Sequence, residues 1–387
     1  VLAARDAGLR RVFVPAGNAA EGAVVDGIDV IAISSVSALM GHLSGANVLS
    51  PAKPEDFPNL LVSNGEIADF SDVCGQAAAR RALEVAAAGA HNILLIGPPG
   101  SGKSMLARRL PSILPDMTQA EALEATKIHS IAGMLPGGAG LLKSRPFRSP
   151  HHGVSAAGLT GGGTVPKPGE ASLSHHGVLF LDELPEFSRV AMESLRQPLE
   201  DACVTISRVS ASLTYPCSLM LVAAMNPCPC GYFGHPTRNC KCSPAAQQTY
   251  LSRISGPLLD RIDLHIEVPP VEYEQLSSKK ASESSAAILE RVNAARAVQL
   301  ERFKGTSVTS NAHIPAGMLR QVCNMTDAAS AMLRDVFDRM GLSARAYDRL
   351  LKGARTIADL AQSEIIETPH LAEAVQYRSL DRKYWRR

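Results

Sequence analysis

Residues 97–104 read GPPGSGKS, a spacing of glycines, lysine and serine whose natural chemistry is the grip of a triphosphate. Gly97, Gly100 and Gly102 leave room for backbone N–H groups to face phosphate oxygens, and Pro98, Pro99 and Ser101 fill out the loop. Lys103 then reaches the β- and γ-phosphates, and the Ser104 hydroxyl ligates magnesium. A second set stands in GVLFLDELPEF (177–187), where an apolar run ends in adjacent acids. Asp182 suits the magnesium, and Glu183 suits a general base that polarises the attacking water. The third candidate is Asn226, delivered by the apolar run SLMLVAAM (218–225); it either orients that water or caps the turn before Pro227.

Four cysteines form a separate constellation. Cys228, Cys230, Cys240 and Cys242 fall within fifteen positions of a Gly/Pro/Asn-rich stretch, and four thiolates satisfy tetrahedral zinc. The C-x-C spacing is less usual than C-x₂-C, and His235 is able to replace one sulfur. The competing reading is four free thiols, since a reducing cytosol disfavours disulfides. Structural zinc is favoured because so short a loop has little other means of ordering itself. Cys74, Cys203, Cys217 and Cys323 lie in apolar or mixed segments and read as core.

The phosphate-binding residues need strands that end together. A helical pattern from Ala77, the apolar strand at 91–96, the glycine loop and a helix from about Lys103 supply the strand–loop–helix context. The 387 residues are 45% hydrophobic and 20% charged, enough for two or three globular domains. A formal charge of +2 rules out nucleic-acid binding by bulk electrostatics, so any such contact needs a local basic surface. No run of 18 apolar residues and no leader pattern is present, so a cytoplasmic protein with no membrane partner is expected. Residue 1 is Val rather than Met, as in a chain that begins partway through a longer protein.

Residues 1–50 alternate helical patterns (VLAARDAG, SSVSALMGHL) with strand-like ones (RRVFVPAG, GIDVIAI), as in a small α/β unit. A linker follows at 51–74, opening in the proline-rich run that spans 50–59. An α/β core is expected over 75–275 and a helical lid over 276–387. The lid reads as four amphipathic helices near 315–323, 327–340, 344–362 and 369–379, after a polar loop at 277–285. Ser343 and Thr368 suit N-caps, and Pro369 suits a first helical turn.

With SGPLLDRIDLHIEVP (255–269) and GLSARAYDRLL (341–351) following in order, residues from about 75 to 387 resemble AAA+ ATPases. The stretches RPFRSPHHGVSAAGLTGGGTVPKPGEASLSHHGVLFLDELPEF and NPCPCGYFGHPTRNCKC resemble more closely the ComM/YifB family of magnesium-chelatase-like ATPases, relatives of the MCM helicases. The resemblance implies an α/β P-loop NTPase fold, a parallel sheet in an α/β/α sandwich, with a C-terminal helical lid. Residues 1–50, through AARDAGLRRVFVPAGN, resemble the end of a Lon-type protease domain. That family's catalytic serine and lysine would lie upstream, so no proteolysis is expected here.

The resemblance implies further roles. Arg261, in LLDRID, falls where the family places an arginine finger inserted by a neighbouring protomer; the plainer alternative is a surface arginine paired to Asp260 or Asp263. Arg345 matches the second sensor. An insertion at about 145–172, with Arg145, Arg148, His151, His152 and Lys167, and a hairpin at about 204–215, with Arg208 near its tip, would project into the pore of a hexameric ring. The implied activity is an ATP-driven DNA motor, with ATP and magnesium as cofactors and DNA and five further copies as partners. Its implied role is branch migration in recombination during natural transformation. A chelatase-type motor that remodels a partner protein, or a Lon-like regulatory ATPase, are the alternatives.

Overall fold

The computed structural model describes residues 1–53, 61–62, 68–135, 141–163, 166–207, 212–274 and 282–385. The chain divides into two compact units, Val1–Glu66 with Asp116–Ser144, and Ile67–Pro115 with Arg145–Arg387.

In the smaller unit, strands Arg11–Pro15 and Asp29–Ile33 pair in parallel, Arg11 opposite Asp29 and Pro15 opposite Ile33. The helix Val36–Leu43 follows, its first turn capped by the Ser35 hydroxyl, which accepts from the Ala38 N–H at 3.1 Å. These elements stand where the alternating patterns of residues 1–50 put them. Residues 116–144, which fall within the stretch expected as the ATPase core, make their contacts in this unit. The reason lies in their apolar face: the helix Gln119–Ile131, opened by a Thr118–Glu121 capping box, buries Ala122 and Ala125 with Val24, Met117, Leu141 and Leu142.

The larger unit is built on five parallel strands: β1 (Ile93–Ile96), β2 (Phe147–Arg148), β3 (Val178–Leu181), β4 (Met220–Met225) and β5 (Leu264–Glu267). Their spatial order is β5-β1-β4-β3-β2, with Val222 opposite both Ile93 and Phe180. β1, β3 and β4 are buried along their whole length. That is why they read as unbroken apolar runs: a parallel sheet covered on both faces offers no polar side. β2 opens the segment that the sequence took for a pore insertion, so its first residues belong to the sheet edge.

The expected hairpin is present as Cys203–Ser207 against Ser212–Pro216. Val204, Ile206 and Tyr215 point into the core while Thr205 and Thr214 face out, the period of two expected of a half-buried ribbon. Its tip, with Arg208, lies outside the described residues.

The lid contains the four expected helices, Ala316–Val322, Asp327–Met340, Ala344–Leu360 and Thr368–Gln376. Ser343 caps the third; the fourth is capped by Glu367 rather than Thr368, with Thr368 and Pro369 inside its first turn. A longer helix, Ser285–Arg302, precedes them; it begins at the end of the polar stretch 277–285 and runs beyond the residues for which a loop was expected. Its inward stripe, Ile288, Val292, Ala295 and Gln299, is narrow and ends in an amide. Gln299 is buried because it donates to the Ala88 carbonyl and accepts from the Asn311 N–H, both at 3.0 Å. One hydrophobic core runs from the helix Ala77–Gly89 and the sheet into the lid, through Leu83, Ile93, Ile357 and Leu371.

Candidate nucleotide site and metal centre

At the C-terminal edge of the sheet, β1 turns into the glycine loop. The Gly97 N–H donates to Met225 O at 3.2 Å, and a methyl group on Gly97 would lie 2.2 Å from Val268 O, so only glycine fits between the ends of β4 and β5. Gly100 and Gly102 take the left-handed backbone at φ +78° and +90°. Lys103 opens the helix Lys103–Arg109 and folds beneath the loop. Its ammonium donates to Gly97 O at 2.8 Å, Pro98 O at 2.9 Å and Asn226 Oδ1 at 3.2 Å. Burial draws its pKa down to about 8, and the carboxylates of Asp182 and Glu183 only partly oppose that shift.

Next to it the Ser104 hydroxyl donates to Asp182 Oδ2 at 2.6 Å, joining the two oxygens chosen as magnesium ligands. Glu183 follows in a left-handed conformation, φ +53°, its N–H donating to Asp182 Oδ1 at 3.0 Å and its side chain exposed. Lys103, Ser104, Asp182, Glu183 and Asn226 therefore stand together at the ends of the adjacent strands β1, β4 and β3, where open α/β sheets place ligands.

Three neighbours escaped the sequence reading. His152 Nδ1 lies 3.5 Å from Glu183 Oε2. Gln76, at φ +55°, donates from its amide to Ser101 O at 3.2 Å and Pro269 O at 2.6 Å, fixing the outer side of the loop. Gly231 packs on Pro99. The GQ pair before a helical run was the one signal in the sequence for Gln76; a histidine's reach across an insertion has none.

Arg261 and Arg345 lie elsewhere. Arg261 precedes β5, where the N–H groups of Asp263 and Leu264 donate to Asn92 O at 2.9 and 3.0 Å, just before β1 begins. This is the N-terminal edge of the sheet, separated from the glycine loop by the length of β1, about 13 Å at ~3.3 Å per residue. Arg261 is buried; its guanidinium donates to Pro257 O at 2.6 Å and to the Glu200 carboxylate, and its Nε has no partner. The hydrogen bond and charge of Arg261 pull the Glu200 carboxyl below its ordinary pKa. A cavity of about 270 Å³ beside it is lined by Arg261, Arg345, Arg349, Lys352, Glu200 and Asp260. Arg349 is held by buried Asp263, whose carboxyl stays well below the usual range because Arg349 and His91 outweigh the cost of burial.

The basic residues expected in the pore divide. Arg145 donates to Pro115 O at 2.6 Å and His176 O at 2.8 Å, and Arg148 forks onto Glu170 at 2.7 and 2.9 Å, so both guanidinium groups are engaged within the chain. Lys167 is exposed on a short antiparallel ribbon, Gly161–Gly162 against Lys167–Pro168. Arg208 lies outside the described residues.

The four cysteines converge. Cys228 Sγ is 3.4 Å from Cys230 Sγ and 3.6 Å from Cys240 Sγ, Cys230 and Cys240 are 3.6 Å apart, and all four sulfurs lie within 4.8 Å of one another. A tetrahedral zinc with ~2.3 Å bonds sets sulfurs about 3.8 Å apart. The Cys230 N–H points at Cys242 Sγ and the Cys242 N–H at Cys240 Sγ, both at 3.4 Å, as thiolate ligands require. His235 Nδ1 instead accepts from the backbone N–H groups of Thr237 and Arg238. The donor set thus fits zinc through sulfur.

The strand order, glycine loop and adjacent acids define an AAA+-type P-loop nucleotide-binding protein with a helical C-terminal part. Comparison with known proteins sharpens this. Residues 69–276 match the family model "Magnesium chelatase, subunit ChlI", and residues 282–378 match that for its C-terminal region. The chain is 44% identical over 375 residues to the YifB protein of Escherichia coli, covering 96% of this chain and 72% of that one. It is 42% identical over 376 residues to the competence protein ComM of Haemophilus influenzae, covering 96% and 72%. A more distant match, 28% over 160 residues, covers 41% of this chain and 23% of the magnesium-chelatase 67 kDa subunit of Chlorobaculum tepidum. The chain belongs to the YifB/ComM family of magnesium-chelatase-like AAA+ ATPases. Among the described residues no helix is long and apolar enough to cross a membrane.

Proposed function

We propose that the chain is an ATP-driven DNA motor that works as a homo-oligomeric ring, six-membered as in the resemblance, and drives branch migration in recombination. The likeness to a competence protein supports natural transformation as the setting. The observation that carries the reading is the split between the two edges of the sheet. Lys103, Ser104, Asp182, Glu183 and Asn226 gather at one edge, whereas Arg261 and Arg345 line a cationic cavity at the other. An arginine there serves only a nucleotide held by a second copy, so a ring is the natural assembly.

In each composite site the glycine-loop N–H groups and Lys103 bind the β- and γ-phosphates, while Ser104 and Asp182 hold magnesium, which neutralises phosphate charge. Glu183 accepts the proton of the attacking water, Asn226 orients it, and the neighbour's Arg261 meets the charge that grows on the γ-phosphate. Lys167 and Arg208 supply DNA contacts; repeated around a ring, one lysine per copy gives a cationic girdle that tracks phosphate without reading bases. The cysteine centre holds zinc.

The decisive experiment measures ATP hydrolysis with and without forked and four-way DNA. Stimulation by DNA, with Glu183→Gln still binding nucleotide but turning over about 10³-fold more slowly, is expected. The magnesium-chelatase match favours one rival, a motor acting on a partner protein; hydrolysis indifferent to every DNA form would select it.

A further inference from the structure

The cysteine loop is joined to the nucleotide site at three places. Cys228 follows Asn226 by only two residues, and Asn226 Oδ1 is in contact with Lys103. Gly231, in a turn closed by its N–H to Cys228 O at 2.9 Å, takes φ +82° and presses on the glycine loop: a methyl group there would lie 2.5 Å from Pro99 Cδ and 2.7 Å from its Cγ. On the far side of the centre, Ser243 caps the helix Pro244–Leu251. That helix sends Gln247 Nε2 to Cys240 Sγ at 3.5 Å and the Tyr250 hydroxyl to the Asn226 N–H. Within the loop Phe233 packs edge-on against Tyr384 and Arg238 lies over the Tyr232 ring, so the four sulfurs hold its shape together with these contacts.

We propose that the four-cysteine zinc centre positions the nucleotide site: bound metal fixes the Gly231–Pro99 contact and the placement of Asn226, and so sets affinity for the nucleotide phosphates. This rests on the nucleotide-binding reading above and gives the zinc a role beyond folding its own loop. Metal release loosens Gly231 from Pro99 and lets Asn226 leave Lys103, so phosphate binding weakens without any change in the residues that touch phosphate.

The test uses the full chain, with zinc content by elemental analysis and binding of a fluorescent ADP analogue. Stripping zinc with a thiol-directed mercurial, then removing the mercurial with excess thiol, is expected to weaken binding about tenfold, with restoration on adding zinc. Gly231→Ala keeps all four cysteines and is expected to retain one zinc per chain, yet to weaken binding about tenfold by overpacking Pro99. Gly234→Ala is the control. It has the same left-handed backbone, φ +74°, but its methyl group would meet nothing nearer than Lys383 Nζ at 4.0 Å, so its affinity stays within about twofold of wild type.

Wild-type affinity in the stripped protein and in Gly231→Ala overturns the proposal, as does a Gly234→Ala loss equal to that of Gly231→Ala, or protein purified without zinc. Zinc-loaded wild type that binds no nucleotide removes the functional reading itself, which separates the two failures.

Discussion

The two edges of the sheet make opposite use of charge. At the C-terminal edge the Lys103 ammonium meets the Asn226 amide, the Ser104 hydroxyl meets the Asp182 carboxylate and Glu183 follows Asp182 directly, so the residues proposed to bind phosphate all come from one chain. At the N-terminal edge Arg261, Arg345, Arg349 and Lys352 line one cavity with Glu200 and Asp260, and Arg261 is parked on Glu200. Cations so crowded are costly unless an anion joins them. The difference underlies the proposed separation of tasks, in which one protomer binds and two hydrolyse.

The largest effects follow from breaking one edge at a time. Lys103→Ala removes the charge that binds the β- and γ-phosphates and is expected to abolish nucleotide binding in a filter or fluorescence assay. Arg261→Ala is expected to bind normally and to hydrolyse about 10³-fold more slowly. Mixing the two inactive variants restores part of the activity, because some interfaces then pair an intact loop with an intact arginine. Mixtures that stay dead, or an isolated monomer that turns over normally, would show that the edges do not cooperate between copies.

Glu200 tests the same contrast with a smaller effect. Glu200→Gln deprives buried Arg261 of its ion pair and is expected to lower stability by about 1–2 kcal/mol in denaturant unfolding. Turnover of the assembled ring should not fall, since the pair is a resting contact. A tenfold fall would mean that Glu200 aims the arginine rather than stores it.

How legible these edges were differs for a physical reason. The phosphate edge is written in a contiguous motif and in two apolar runs that end in polar residues, and strand ends in a parallel sheet fall side by side. Asp182, Glu183 and Asn226 could thus be placed from the sequence alone. The other edge depends on residues 200, 261 and 345 meeting through tertiary packing, which no local spacing records. Arg145 and Arg148 show the converse: as unpaired letters they look like free cations, yet Glu170 and backbone carbonyls claim them. The packing of segment 116–144 with Val24 and Leu141 is likewise tertiary, and the spacing of its helix alone does not record it.

The smallest expected effect is a pH dependence confined to the phosphate edge. Burial lowers Lys103 to about 8 in the folded chain, below the ordinary lysine value, so the charged form is disfavoured by folding. The ammonium is fully present below that pH and is lost as pH rises through it; phosphate binding, which needs the charge, weakens in the same direction. Affinity for the ADP analogue is expected to fall about fivefold between pH 8 and pH 9, following the protonated fraction. The sign for stability is the reverse. A depressed lysine pKa penalises the folded state where the group is charged, so the nucleotide-free protein gains stability as pH rises above about 8 toward the unfolded value. Lys103→Met should abolish the stability slope, while Arg261→Ala leaves both slopes unchanged, because the cationic cavity lies at the other end of β1. An affinity slope that vanished in Arg261→Ala would join the two edges within a single chain and undo the division of labour between them.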